Sequence, residues 1–237
     1  MTRWAICAAM QFILVSAFSQ TPPTIQTHTE DERRLPRVDF VKDEATLTEA
    51  ITAIALETHA PIGVILGRNK TSACSTMYKF DLHEVGTKRS LETVAHEAQY
   101  TVTEENGVVL VTAPDVTPRQ RMVLAHRFAE FKTDKNTTMP MISAELAGWL
   151  WSEVDHGTGW AASIMGSMDD LRISLPASMP NISAEEIANR VVTSGAGGIW
   201  IAKINPDRAT GAEDDLISFY SYANPELLKS EISCGPN

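Results

Sequence analysis

The sequence predicts an α+β protein: two βαββαβ-type modules, each a small sheet with two helices, joined by a linking helix. Three observations carry this expectation. Short β-rich runs alternate with amphipathic helical segments, helix starts carry capping signatures, and the order of elements in the first half recurs in the second.

The first module spans residues 38–115. Val38–Val41 alternates as a short strand. Thr46 and Glu49 form a capping box, in which hydroxyl and carboxylate satisfy opposite ends of a first helical turn. Leu47, Ala50, Ile51, Ile54 and Ala55 then line one helical face, and Pro61 ends the helix. Ile62–Leu66 reads as a strand closed by Gly67. After a polar loop holding Cys74, Met77–Leu82 reads as another, with Tyr78, Phe80 and Leu82 on one side. Ser90 is the expected cap of a second helix that buries Leu91, Val94, Ala95 and Ala98. Two β-rich runs, Tyr100–Thr103 and Val108–Thr112, flank Asn106-Gly107, a hairpin signal because both residue types tolerate positive φ.

Residues 116–140 read as the connecting helix and loop. Thr117-Pro118-Arg119-Gln120 offers a cap, a first-turn proline and a box partner, and the helix is expected to reach Lys132 with Met122, Ala125, Phe128 and Ala129 on one face. The second module, residues 141–224, repeats the plan. Its elements are a helix opened by Ser143, a strand Trp160–Met165 closed by Gly166, and a strand Leu171–Leu175. A helix boxed by Ser183 and Glu186 and ended by Gly195 follows, then strands Ile199–Ile204 and Leu216–Tyr222. Thr46, Gly67 and Ser90 recur as Ser143, Gly166 and Ser183, at offsets of 97, 99 and 93 residues. Residues 225–237 form a tail.

Residues 1–19 have the parts of a cleavable signal peptide: Arg3 as the positive end, an apolar run from Trp4 to Val15, and small residues at Ala17 and Ser19 before Gln20. The run is shorter than the roughly 20 apolar residues a spanning helix needs. The expectation is an exported protein, periplasmic or extracellular, cut between Ser19 and Gln20, with residues 20–37 as a flexible linker and no stable membrane insertion afterwards. Twenty basic against 30 acidic residues give a formal charge of −10. With no basic run, the chain lacks the electrostatic footprint of a nucleic-acid binder. In an exported chain Cys74 and Cys234 suggest a disulfide that pins the tail, with two unrelated thiols as the alternative.

No catalytic, cofactor or metal motif is complete. His96-Glu97 invites the zinc pattern His-Glu-x-x-His, but Tyr100 stands where the second imidazole is required, and Thr87 fails His83-Glu84 in the same way. Ser167 lacks a nucleophile elbow, and Ser194 before Gly195 reads as a helix end. Gly195-Ala-Gly-Gly198 follows a helix and precedes a strand, the reverse of a phosphate cradle. Trp151 falls on an apolar stripe. Trp149 and Trp160 are candidates for an exposed aromatic patch, against the duller alternative of packing on the segment 117–132. Asn69-Lys-Thr, Asn136-Thr-Thr and Asn181-Ile-Ser are glycosylation sequons, relevant only in a eukaryotic secretory route.

The stretch from Thr46 to Ala113 resembles the short amino-terminal domain shared by bacterial secretins and TonB-dependent receptors, the STN domain. TLTEAITAIALETHAPIGVIL and FDLHEVGTKRSLETVAHEAQYTVTEENGVVLVT carry the likeness: a strand leading into a helix of the form Leu-x-x-x-Ala/Val, then an aromatic-initiated hairpin. Ser90-Leu91-Glu92-Thr93-Val94, Tyr100 and Val108–Val111 fit that form. The resemblance implies a non-enzymatic envelope module, without cofactor, that contacts another envelope protein. No secretin pore domain, receptor plug or barrel follows the stretch, so it implies a free-standing relative with a divergent second copy. The alternative expectation is a small secreted hydrolase or carbohydrate-binding protein using Asp155, His156, Asp169 and Asp170.

Overall fold

The computed structural model describes residues 36–68, 70–134, 137–154, 160–161, 172–194, 197–205, 215–223, 225–226 and 228. The leader and linker expectations therefore lie outside the described residues.

The class is α+β. The first half runs β1 (Arg37–Ala45), α1 (Leu47–Thr58), β2 (Ile62–Ile65), α2 (Lys70–Ser75), β3 (Tyr78–Val85), α3 (Thr87–Glu97), β4 (Thr101–Glu105) and β5 (Val108–Thr112). The second half runs α4 (Pro118–Ala125), β6 (Arg127–Lys132), α5 (Met139–Glu153), β7 (Trp160–Ala161), β8 (Ser178–Ser183), α6 (Ala184–Thr193), β9 (Gly198–Lys203) and β10 (Asp215–Ser221).

The halves repeat one another in pairing as well as in order. β1 pairs antiparallel with β3, as β6 does with β8. β4 and β5 form an antiparallel pair, as β9 and β10 do. β2 lies parallel to β5, as β7 does to β10. One plan is used twice.

The halves do not keep separate sheets, as the two-module expectation had it. β2 also pairs parallel with β9, which fuses the central strands into one six-stranded sheet of order β4-β5-β2-β9-β10-β7. Residues opposite one another in a ladder share a face. Gly63, Leu110 and Trp200 therefore point to one side, and Val64, Val111 and Ile201 to the other. Trp200 is fully buried on the first side, its indole N–H donating to Asn189 Oδ1 of α6 at 2.8 Å. On β4, Val102 packs into the core while Thr101 and Thr103 stay exposed, so α3 covers the second side. Helices thus lie on opposite faces, α1 and α3 on one and α5 and α6 on the other. Each pair is backed by its own two-stranded ribbon. A side chain on Gly63 has no room: a Cβ there would sit 2.5 Å from Leu110 and from the Trp200 indole.

Two side chains staple the joint between the halves. Gln120 on α4 is 1% exposed and donates from Nε2 to Leu66 O at 3.0 Å and to Ile204 O at 2.7 Å, the carbonyls just beyond β2 and β9. Its Oε1 accepts from Thr117 N at 2.7 Å, closing the expected capping box. Past the other end of the joint, the Tyr222 hydroxyl donates to Ala60 O, and burial pushes its pKa up.

Several local expectations hold. The boxes at Thr46/Glu49 and Ser183/Glu186 form as read. Asn106 and Gly107 take φ of 52° and 78° at the β4–β5 turn. Others are corrected. α3 starts at Thr87 after Gly86, and Ser90 lies inside it, donating from Oγ to Gly86 O at 2.8 Å. α5 begins at Met139 behind a Thr138 cap, so Ser143 is interior and donates to Ile217 O at 3.0 Å. The expected strand Leu171–Leu175 is only an Arg172–Thr138 bridge among the described residues, and β8 takes its place. The loop around Cys74 is helical.

The largest correction lies in the linker: the helix stops at Ala125, and residues 127–132 are strand β6. Phe128 and Phe131 are both buried at a spacing of three, which imitates a helical face. Of the two residues between them, Glu130 pairs with Pro180 and Ala129 stands opposite Asn181, which is left-handed (φ 48°) and drops out of the ladder; both rings meet Trp149. Burying each ring contributes about 1.5–3 kcal/mol.

Gln120→Ala removes the donors of two buried carbonyls, each worth about 1–3 kcal/mol when left unsatisfied. The expected outcome is a loss of about 2–4 kcal/mol in urea unfolding and a melting temperature lower by roughly 5–15 °C.

Candidate functional site

A cleft of about 280 Å³ lies between β3 and α3, lined by Lys79, Phe80, Asp81, Leu82, Thr93, Val94 and Glu97. Its floor is apolar: Phe80, Leu82 and Val94 are all buried. Its rim is polar, with Asp81 and Glu97 acidic and the Lys79 ammonium held by Asp43 at 2.8 Å. Strand alternation makes this division, since Phe80 and Leu82 turn inward toward α3 while Lys79, Asp81 and His83 turn outward.

Among the described residues the edge of β3 beside the cleft is open. Gly86 N–H donates to Pro36 O at 3.0 Å, which fixes the phase of the ladder. Bonded pairs alternate in an antiparallel ribbon, so Phe80, Leu82 and Glu84 bond to β1 while the main-chain groups of Lys79, Asp81 and His83 point away from it. Among the described residues no strand pairs with that edge.

The equivalent edge in the second half is partly closed. By the same phase rule, taken from Ala184 N–H to His126 O at 3.1 Å, the outward groups of β8 belong to Met179, Asn181 and Ser183. Ser183 N–H is taken by Glu186 Oε2 at 2.7 Å, Asn181 O accepts from the Arg127 guanidinium, and Asn181 is itself left-handed. Two further edges among the described residues are blunted too. β1 is interrupted by a register shift between Lys42 and Ala45, and β4 ends in Glu104 and Glu105.

On the outer face of the ribbon, His83 is held between two carboxylates, Nδ1 to Asp39 Oδ1 at 2.7 Å and Nε2 to Asp81 Oδ1 at 3.2 Å. The Asp39 hydrogen bond raises the imidazole pKa above its ordinary value, and the same bond lowers that of Asp39.

The residues singled out from sequence fall as follows. Cys74 lies on α2 and is disulfide-bonded; Cys234 lies outside the described residues. Trp149 is half-buried, with its ring centroid 6.1 Å from that of Phe128 and 6.3 Å from that of Phe131. The exposed indole of α5 is Trp151, at 51%, the reverse of the stripe expectation. Trp160 stands in β7, with its side chain outside what is described. Asp155, His156, Ser167, Asp169 and Asp170 also lie outside the described residues. Ser194 is the C-cap of α6, donating from Oγ to Val191 O at 2.8 Å. Among the described residues no cluster of three or more metal-ligating side chains occurs, and no helix is long and apolar enough to cross a membrane. The β3 edge itself escaped sequence reading: its alternation is plain, but nothing local tells which neighbour it lacks.

No family model, no curated protein and no solved structure matches this chain.

The raised His83 pKa means its ion pairing is complete below the ordinary imidazole value of about 6.5 and fades as pH rises through the folded-state value. Asp39→Asn removes the principal cause. An NMR titration of the His83 ring is expected to show an apparent pKa above 6.5 in the native protein and a downward shift in the variant.

Proposed function

We propose that this chain is a non-catalytic protein-interaction module of the cell envelope, exported by its leader, that docks a partner by strand addition. The observation that carries this reading is the edge of β3 beside an apolar cleft, which no described strand pairs, in a fold whose edges at β1, β4 and β8 are blunted. Main-chain hydrogen bonds to such an edge supply affinity, and pockets for alternate side chains supply specificity. The resemblance of residues 46–113 to the STN domain supports the same reading through the order strand, helix, hairpin, although α3 starts after Gly86 without the expected Ser90 cap. The acidic balance fits a partner surface of opposite sign.

Export is tested by sequencing the amino terminus of protein recovered from the envelope or medium, which is expected to begin at Gln20. A chain recovered only from the cytoplasm with Met1 intact would remove the envelope from the proposal.

Docking is tested with Asp81→Pro. This substitution deletes an outward N–H and leaves the bonded pairs with β1 in place. The native protein is expected to retain one specific envelope protein from a detergent extract, and the variant to lose it while melting as a folded protein. Retention of nothing, together with turnover of a substrate, sinks the module reading.

A further inference from the structure

We infer that the occupant of the β3–α3 groove is an extended segment that alternates apolar with basic residues, laid along the open edge of β3. The inference rests on the docking reading above and adds the chemistry of the partner.

The floor decides one half of the pattern. A strand added beside β3 turns every second side chain toward α3, as Phe80 and Leu82 do. Those side chains meet Phe80, Leu82 and Val94, with Thr93 at the margin. The cleft volume of about 280 Å³ accommodates branched aliphatic side chains. A charged group turned inward there would be desolvated without a paired partner.

The rim decides the other half. Side chains turned outward from the added strand stand beside Lys79, Asp81 and His83. Lys79 is neutralised by Asp43 at 2.8 Å, and His83 is held by Asp39 and Asp81, with Arg37 Nε also on Asp39 at 3.3 Å. Among the described residues the cation beside Asp81 is His83, which gives up its charge as pH rises, and Glu97 adds a second carboxylate at the helix side of the cleft. The uncompensated charge around the groove is therefore negative, matching the sign of the whole chain. A lysine or arginine at the outward positions gains a cross-strand partner, whereas a glutamate there stands against Asp81.

The repeat supplies an internal contrast. In the corresponding strand β8 the outward Ser183 N–H is taken by Glu186 and Asn181 O by Arg127, so one chain holds both a partly closed and an open version of the same edge. The open one alone is accompanied by a described cleft.

The test is a fluorescence-anisotropy titration of the folded full-length mature protein, at pH 7.5 and low salt, with three labelled octapeptides. One alternates Val and Lys, one alternates Val and Glu, and one carries the Val/Lys composition with the four lysines contiguous. The alternating Val/Lys peptide is expected to bind, and the Val/Glu peptide to bind roughly tenfold more weakly. The contiguous peptide should bind comparably weakly because its apolar residues cannot all face the floor. Asp81→Pro should abolish binding, and the folded variant Asp81→Lys should lose the preference for Val/Lys. Equal binding of the alternating and contiguous basic peptides, or unchanged binding by Asp81→Pro, overturns the inference as non-specific charge attraction. Failure of all three peptides, while an envelope partner is still retained and lost on Asp81→Pro, overturns the stated chemistry and leaves the docking reading standing. Retention of that partner by Asp81→Pro places docking elsewhere and overturns both.

Discussion

Where Ile62–Ile65 of the first repeat lies beside Ile199–Ala202 of the second, two three-stranded sheets become one, and the rest of the molecule follows from that parallel joint. Fusing the sheets with their helices on opposite faces lets each half cover apolar surface that the other exposes. The Gly63–Leu110 face of the first half is roofed by α6, and only glycine at 63 leaves room for the Trp200 indole. Parallel strands of this kind are normally buried on both faces, which explains why Ile62–Ile65 is buried throughout and carries no polar alternation. Gln120 and Tyr222 then secure main-chain carbonyls at the two ends of the joint.

Much of this was legible where the signal is local. Capping boxes at Thr46, Thr117 and Ser183 and the Asn106-Gly107 turn depend on residues within four positions of one another, and all form as the sequence suggests. The repeat was legible in element order, although the anchors were displaced: Thr138 rather than Ser143 caps α5, because a threonine followed by proline in the first turn outweighs a serine on the buried face. What the sequence hid was non-local. Phe128 and Phe131 mimic a helix by their spacing of three, and the ladder breaks between them where Asn181 on another strand is left-handed. Gln120 reads as a box partner and does serve as one, yet its amide nitrogen spans two strands from opposite halves.

The candidate groove shows the same division. Phe80, Leu82 and Val94 were readable as inward residues, and Asp81 and Glu97 as outward ones. That β3 lacks a neighbour on one side is a property of the sheet, not of the segment. Duplication sharpens the point, because β3 and β8 hold the same place in the plan and differ in how far the outward groups are already satisfied. In the second copy a capping glutamate and an arginine occupy two of them; in the first, Gly86 starts the helix without any side-chain cap.

The order in which the chain becomes available also bears on its joint. β2 is complete early, but β9, its partner on one side, lies beyond the first six elements of the second half, α4 to α6. Contacts this distant in sequence form late and slowly. Until β9 arrives, a fully apolar strand edge and an uncovered sheet face stand exposed, the kind of surface on which collapsed intermediates stick to one another. The first repeat by itself is therefore the part of the folding chain most prone to self-association, and the second repeat protects it by supplying β9 as a neighbour for β2 and α6 as a cover for its sheet face.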